Sequence, residues 1–429
     1  MSGPEQHDAF VIAADHVLPV AGKPLSPGWV EVADGLIQKV GHGDPPRDRG
    51  PVVHYDDAAV LPGLVDAHTH LGCGFLKGLE GGRDFVEWMT KGIAPKVITA
   101  ARETPESIAE GARLAAREAL EAGITFVADS FFLDVGRSAA RNLGLKGVFL
   151  REYFGASADD LEAYAAETRE SIAAAVADGR DDFGLAPHAP YTCPERILRE
   201  VAREARERAL PLTIHAAESV AEGEMFAAGR GALFDLFAAG GREGRYRLGR
   251  SPIAALNDAG ILGPRTLLVH AVHLSDADIA LIAAGGASVV HCPGSNLRLG
   301  VGIAPFAKLR QAGVNVAIGT DSAASNGKLD LFEEMRLAIH LARLAAPSTV
   351  LSPAAALAAV TLDAAKAVGK AATIGSLEKA KAADFAVVRL DRPRHRPFTD
   401  PVAAVVFSAV PEDVLAVYID GVARHVRER

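Results

Sequence analysis

The feature that most limits the fold of this chain is an alternation repeated eight times: a short β-rich run, then an Ala/Leu/Glu-rich run of helical spacing. The β-runs are VDAHTH (65–70), GITFVADS (123–130), KGVFLREYFG (146–155) and FGLAPHAP (183–190). They continue with PLTIHAAES (211–219), TLLVHAVHL (266–274), ASVVHCP (287–293) and NVAIGTDS (315–322). Stretches such as ESIAEGARLAAREALEAG (106–123) lie between them, with apolar residues at helical spacing and a closing glycine. Strand–helix units in series call for parallel strands joined by crossover helices. Eight such units predict a closed (β/α)8 TIM barrel, an α/β fold, rather than an open sheet.

The two ends read differently. FVIAADHVL (10–18) and SPGWVEVADGLIQKVG (26–41) are short strands with turn signals, as are DFAVVRL (384–390) and DVLAVYIDGVAR (413–424). Each end has too few strands to bury a face stably. They are expected to pair into one small β-sandwich built from residues 1–60 and 372–429, beside a catalytic barrel at 61–371. The length, 429 residues, suits that arrangement.

Composition excludes several classes. The formal net charge is -9 and no Lys/Arg cluster forms a nucleic-acid patch, so neither DNA nor RNA is expected as partner. The short run RPRHR (392–396) is broken by Pro393 and reads as a solvated loop. Cys73, Cys193 and Cys292 are far apart and lack CxxC spacing, which argues against a disulfide framework or a cysteine-based zinc site. No apolar stretch is long enough to span a membrane, and MSGPEQHDAF lacks the pattern of a secretion signal. A cytoplasmic location follows as the default.

Most of the β-runs end in an imidazole or a carboxylate: His68 and His70, Asp129, Glu152, His188, His215 and Glu218, His270 and His273, and Asp321. In a (β/α)8 barrel the C-terminal strand ends converge on one mouth. Burying so many polar groups without a common partner costs roughly 1–3 kcal/mol each, and a shared metal ion removes that cost. His68 and His70 are two residues apart on a strand, so they share a face. His215 is the natural third ligand and Asp321 the fourth. Neutral imidazole suits zinc or iron, and a His3Asp set also accepts manganese. One divalent ion is expected, zinc first. Such an ion lowers the pKa of a bound water to about 7, and Asp321 can accept the proton released. Glu218 follows His215 at HxxE spacing, just past a strand end, where a carboxylate can shuttle a proton to a ring nitrogen. The alternative is a helix N-terminal acid.

The motifs LPGLVDAHTH, APHAPYTC, TIHAAES, VHAVHL, VVHCPGSNLRLGVGIAPF and IGTDSAASN together resemble the amidohydrolase superfamily. Within it they resemble the mononuclear nucleoside and nucleobase deaminases. IGSLEKAKAADFAVV (374–388) resembles the segment that returns to the small β-domain of that family. The resemblance implies a small-molecule substrate, metal ligation by His68, His70, His215 and Asp321, and ring protonation by Glu218. It implies that His270 orients the nucleophile or the substrate. Binuclear relatives carry a bridging lysine on the fourth strand; FGLAPHAP has none, which points to a single ion. His188 and Arg151 match substrate-contacting positions of the S-adenosylhomocysteine/methylthioadenosine deaminases, and Arg151 could meet a carboxylate on a substrate tail. An ion pair with Glu152 is the alternative for Arg151. His273 and His291 read as structural, and Ser295 and Asn296 as shaping a loop at the mouth.

One departure stands out. Trp88 is present as a candidate substrate contact, but Lys96 occupies the position where adenosine-type deaminases carry a glutamate for the ribose. GGRDFVEWM (81–89), GRGALFDLF (229–237) and SPIAALNDAGIL (251–262) resemble the aminofutalosine deaminases of menaquinone biosynthesis, whose adenine nucleoside carries a benzoate tail. Aminofutalosine is the leading substrate expectation. Adenosine, methylthioadenosine or S-adenosylhomocysteine comes next, then guanine, pterins or triazines. Two other classes stay open: an amide or dehalogenating hydrolase on the same scaffold, which needs no ring protonation, and a non-catalytic binding protein. A homodimer is expected by analogy alone.

Overall fold

The computed structural model describes residues 9–80, 84–348 and 350–427. The start of the chain, and the first three residues of GGRDFVEWM, lie outside that range. Eight parallel strands form one sheet in sequence order. They are β5 (Leu64–Thr69), β6 (Ile124–Phe131), β7 (Lys146–Tyr153) and β8 (Phe183–Pro187), then β9 (Leu212–Ala216), β10 (Thr266–His270), β11 (Ser288–His291) and β12 (Val316–Ile318). The ring closes where Thr69 bridges Asp321, so the first and last strands meet at the mouth. Val65, Phe126, Val148, Leu150, Val269 and Val290 fill the interior, and a larger apolar cluster packs the outer strand faces against the helices. The strands are buried on both faces, as a parallel sheet requires.

The remaining strands are β1 (Ala9–Val17), β2 (Gly28–Ala33), β3 (Leu36–His42), β4 (Val52–Pro62), β13 (Phe385–Arg389), β14 (Val414–Ile419) and β15 (Val422–Val426). They make a separate seven-stranded mixed sheet in the order β15-β14-β13-β4-β1-β2-β3. N- and C-terminal segments pair through β4 and β13, antiparallel. The β2–β3 turn and the β14–β15 turn meet at the segment that leads into β13: Ala383 donates to Gly35 O and Gly421 to Ala383 O. On one face of the sheet Phe385 stacks on Tyr418, and Ile12, Val30, Ile37 and Leu415 share the same cluster. The β4 strand runs on to Pro62, and β5 begins at Leu64, so the small sheet fixes the start of the first barrel strand. No helix among the described residues is long and apolar enough to cross a membrane.

Candidate metal centre and active site

Strand geometry alone does not bring His68 into the barrel. Val65 faces the interior, and strict alternation from it would turn His68 toward the helices. The β5–β6 register shifts between Asp66 and Thr69: Asp66 pairs with Val127 and Thr69 with Asp129. Two residues, Ala67 and His68, therefore oppose Ala128. This β-bulge reverses the phase and carries His68 and His70 inward together. Asp66 pins the bulge, accepting from His68 N (3.3 Å), Thr320 N (3.0 Å) and Thr320 Oγ1 (2.6 Å). Burial pushes the Asp66 carboxyl up to about 7 against those hydrogen bonds.

His68, His70, His215 and Asp321 converge, with one ligand atom of each within 4.8 Å of the others. Nε2 of His70 lies 3.1 Å from that of His68 and 3.3 Å from that of His215. Asp321 Oδ1 is 3.7 Å from His68 Nε2 and 3.5 Å from His70 Nε2. Four ligands about 2.1 Å from a tetrahedral ion stand about 3.4 Å apart, so the set fits one divalent cation.

The tautomers support the same conclusion. His70 Nδ1 donates to Ser130 O (2.6 Å) and His215 Nδ1 to His188 O (2.7 Å), which leaves both Nε2 atoms with lone pairs. Two facing lone pairs cannot hydrogen-bond; a cation between them satisfies both. Burial lowers His68 to about 4, keeping it a neutral ligand. Asp321 Oδ2 accepts from Ser295 Oγ (2.6 Å) and Ser325 Oγ (2.9 Å), so Oδ1 is aimed at the histidines.

Glu218 and His270 complete the mouth. His270 ends β10 with φ +70°, and Ala271 N bonds back to Val269 O. That tight reversal rotates the imidazole inward at a position where alternation would face it outward. Ala217, Ala271 and Asp321 also have positive φ, so strained backbone collects around the site. His270 Nδ1 donates to Asn296 Oδ1 at 2.8 Å. Its Nε2 lies 3.6 Å from Glu218 Oε1 and 4.0 Å from Asp321 Oδ2. Burial lowers the His270 pKa. Burial, then the Asp321 charge, holds the Glu218 carboxyl well above its usual range.

Glu218 does not cap the helix Val220–Ala228. Ser219 does, accepting from Glu222 N, and Glu222 reaches back to the backbone N–H groups of Ala217 and Glu218, both at 2.9 Å. Glu222 is fully buried and was not singled out in the sequence, although the Ser-x-x-Glu spacing is a capping signature.

Arg151 needs correction. On β7, Val148 and Leu150 face the interior and Phe149 and Tyr153 the helices. Arg151 belongs to the second set: it pairs in register with Leu185 and sits near Tyr153 and Tyr164. Its side chain therefore leaves β7 on the helix side, opposite to Glu152. The inward residue is Glu152, a buried carboxylate 3.9 Å from His70 Nδ1 and clustered with His188 and His215. His188 is half-buried and stacks on Phe154. Asp129 also faces away from the interior, accepting from Leu71 N to fix the turn after His70. Trp88, in the helical segment 85–93, packs in an apolar cluster with Tyr191, Phe226 and Val301. It also lines a cavity of about 550 Å³ that includes Lys91 and Lys96. His273 Nε2 contacts Val301 O at 2.7 Å, and His291 packs against Phe306.

A (β/α)8 barrel with a His3Asp cluster and a buried glutamate beside it defines a metal-dependent hydrolase. The chain belongs to the amidohydrolase family, which matches residues 59–424. It is 34% identical over 430 residues to a 5-methylthioadenosine/S-adenosylhomocysteine deaminase of Symbiobacterium thermophilum, covering 96% of this chain and 93% of that one. It is 32% identical to a 5'-deoxyadenosine deaminase of Methanothermobacter thermautotrophicus, covering 97% and 92%. The crystal structure of an adenosine deaminase from Xanthomonas campestris with bound zinc superposes with a TM-score of 0.85 at 33% identity, covering 98% and 94%. The protein is a hydrolase of carbon–nitrogen bonds with a divalent-metal site.

Proposed function

We propose that this chain hydrolytically deaminates the adenine ring of a purine nucleoside, holding one zinc ion on His68, His70, His215 and Asp321. The observation that carries this reading is the position of Glu218: buried, its carboxyl held above the usual range by that burial, and adjacent to both His270 and the ligand set. An ion held there supplies the positive charge that makes water a nucleophile at neutral pH. Glu218 delivers a proton to the ring nitrogen beside the reacting carbon, which breaks aromaticity. His270, neutral and fixed by Asn296, presents a bare Nε2 that orients the nucleophile. Asp321 lies within reach to pass a proton toward the departing amine. Of the two protons of water, one ends on the ring and one on the amino group, which leaves as ammonia; the oxygen stays on carbon.

The names of the relatives favour a 5'-modified adenosine as substrate. Aminofutalosine, an intermediate of menaquinone biosynthesis, is a second reading. The motifs shared with its deaminases support it. Arg151 no longer supports it. Ammonia release from adenosine, 5'-deoxyadenosine, methylthioadenosine, S-adenosylhomocysteine, aminofutalosine, guanine and atrazine separates these cases. Adenine nucleosides are expected to lead by at least tenfold. Glu218→Gln is expected to lower kcat by about 10²–10⁴ while bound metal stays unchanged by elemental analysis. Near-normal turnover by that variant would remove ring protonation from the scheme.

A further inference from the structure

Two segments at the mouth carry the groups that steer the proposed chemistry. The helix Pro293–Arg298 holds Ser295, which donates to Asp321 Oδ2 (2.6 Å), and Asn296, whose Oδ1 is 2.8 Å from His270 Nδ1. The turn after β12 holds Asp321 itself and Ser325, whose Oγ donates to the same Oδ2 (2.9 Å). Both segments are tied to one buried carboxylate on a third element, Glu334 of the helix Leu331–Ala345.

Glu334 Oε2 accepts from Gly294 N (2.9 Å) and Oε1 from Asn326 Nδ2 (3.0 Å). Asn326 Nδ2 also donates to Thr320 O (2.8 Å). A backbone carbonyl oxygen can only accept, so the amide nitrogen of Asn326 is the atom that faces it, and the direction of these bonds is fixed. Gly294 N is the first free donor of its helix: Pro293 has no N–H, and the N-cap residue Cys292 makes no side-chain hydrogen bond. The Glu334 carboxylate stands in for that cap, at the positive end of the helix. The approach requires glycine, because a Cβ at Gly294 would collide with Glu334 Oε1 and Asn326 Oδ1. Glu334 does not serve the start of its own helix, which Asp330 caps through Phe332 N and Glu333 N. Two acceptor oxygens thus meet two N–H donors. A glutamine cannot copy this, since its amide would set N–H against N–H at one end.

We propose that Glu334 is a positioning residue: it clamps the Ser295–Asn296 segment to the Asp321 turn, and so sets the spacing of Asp321 and His270, whose Oδ2 and Nε2 stand 4.0 Å apart. It is not a member of the ligand set, and acts through Ser295, Asn296 and Asn326. This role rests on the deaminase reading for its effect on turnover, and on the His3Asp set for its effect on metal affinity. A displacement of about 1 Å at a reacting group costs roughly 10²-fold in rate. Loss of a group that orients a metal ligand costs roughly ten- to hundredfold in affinity or activity.

The test compares zinc-loaded wild type with Glu334→Gln, Asn326→Ala and the double variant. Met335→Ala is the control for stability, because Met335 is the next residue on the same helix and is buried in the outer apolar cluster. With adenosine and 5'-deoxyadenosine, Glu334→Gln is expected to lower kcat by roughly ten- to hundredfold with KM within about threefold. Its zinc Kd, from competition with a chelator, should rise about tenfold. Met335→Ala should lower Tm at least as far, yet keep kcat and zinc Kd within about twofold of wild type. The double variant should fall no more than about twofold below the weaker single variant, because both substitutions open the same clamp. If the wild type deaminates and Glu334→Gln keeps kcat and zinc Kd within about twofold, or if Met335→Ala loses as much, the clamp is overturned and the deaminase reading stands. If the wild type deaminates no nucleoside, that reading falls, and zinc Kd alone decides the clamp by the same margins. Should Glu334→Gln fail to fold, Asn326→Ala carries the comparison.

Discussion

Glu218 and Glu222 are four residues apart and both buried, yet they act in opposite directions. Glu222 spends both oxygens on the backbone of the turn, and so frees Glu218 to face the metal ligands. At this scale the four residues that the fold brings together were legible because their chemistry marks them: imidazoles and an aspartate have few other reasons to recur at strand ends. The supporting residues were not. Asp66 and Glu222 bond to backbone groups whose positions exist only after folding, and Ser295 and Asn296 turned out to steer Asp321 and His270. Choosing between Arg151 and Glu152 required the inward phase of β7, which one apolar run does not reveal because both faces are buried. The corrected phase gives a direct expectation. Arg151→Met should leave kcat/KM within about twofold for every nucleoside, carboxylated tails included. A tenfold loss confined to carboxylated substrates would return Arg151 to the mouth.

Eight strand runs and their crossovers were read correctly as elements, since length, patterning and closing glycines agree locally. The β-bulge at Ala67–His68 and the left-handed turn at His270 were invisible, because each depends on the neighbouring strand rather than on its own sequence. The helices carry their own electrostatics. On the helix Glu195–Glu207, Glu200 is buried and accepts from Arg169 (2.8 Å) and Arg196 (3.0 Å), with Arg203 beside it. Burial alone would raise its pKa; the hydrogen bonds from Arg169, Arg203 and Arg196 outweigh burial and bring it from 4.5 to about 2. A carboxyl depressed on folding stabilises the native state above its unfolded pKa and loses that contribution as pH falls toward the folded value. Glu200→Gln should therefore cost roughly 1–3 kcal/mol at pH 7. The gap from wild type should narrow below pH 4.5 and vanish near pH 2. Denaturant melts of both proteins across that range provide the measurement, and a gap that is flat with pH would show that the pair contributes through packing alone.

The whole molecule has one seam, and the ligand set straddles it. The barrel closes through Thr69 and Asp321, with Asp321 N donating to His68 O (3.0 Å) and Thr69 Oγ1 to Asp321 O (2.9 Å). Two ligands, His68 and His70, stand on or beside the first strand; Asp321 follows the last; His215 lies across the mouth. An ion bound by all four ties the ends of the barrel together and neutralises a buried carboxylate among facing imidazole lone pairs. Binding that favours the folded state stabilises it by about 4 kcal/mol when the ligand is at a thousandfold its Kd. For a chain of this length that corresponds to a Tm change of about 5 °C. Chelation should therefore lower Tm by about that much or more, and zinc should restore it. The effect should also be local. Hydrogen exchange is expected to quicken at residues 66–70 and 319–326, on the two sides of the seam, while β1, β2 and β14 in the small sheet keep their protection. Uniform loss of protection would mean that the ion supports the fold as a whole. Unchanged exchange and unchanged Tm would mean that the Thr69–Asp321 bridge closes the barrel unaided, and that the metal serves the reaction alone.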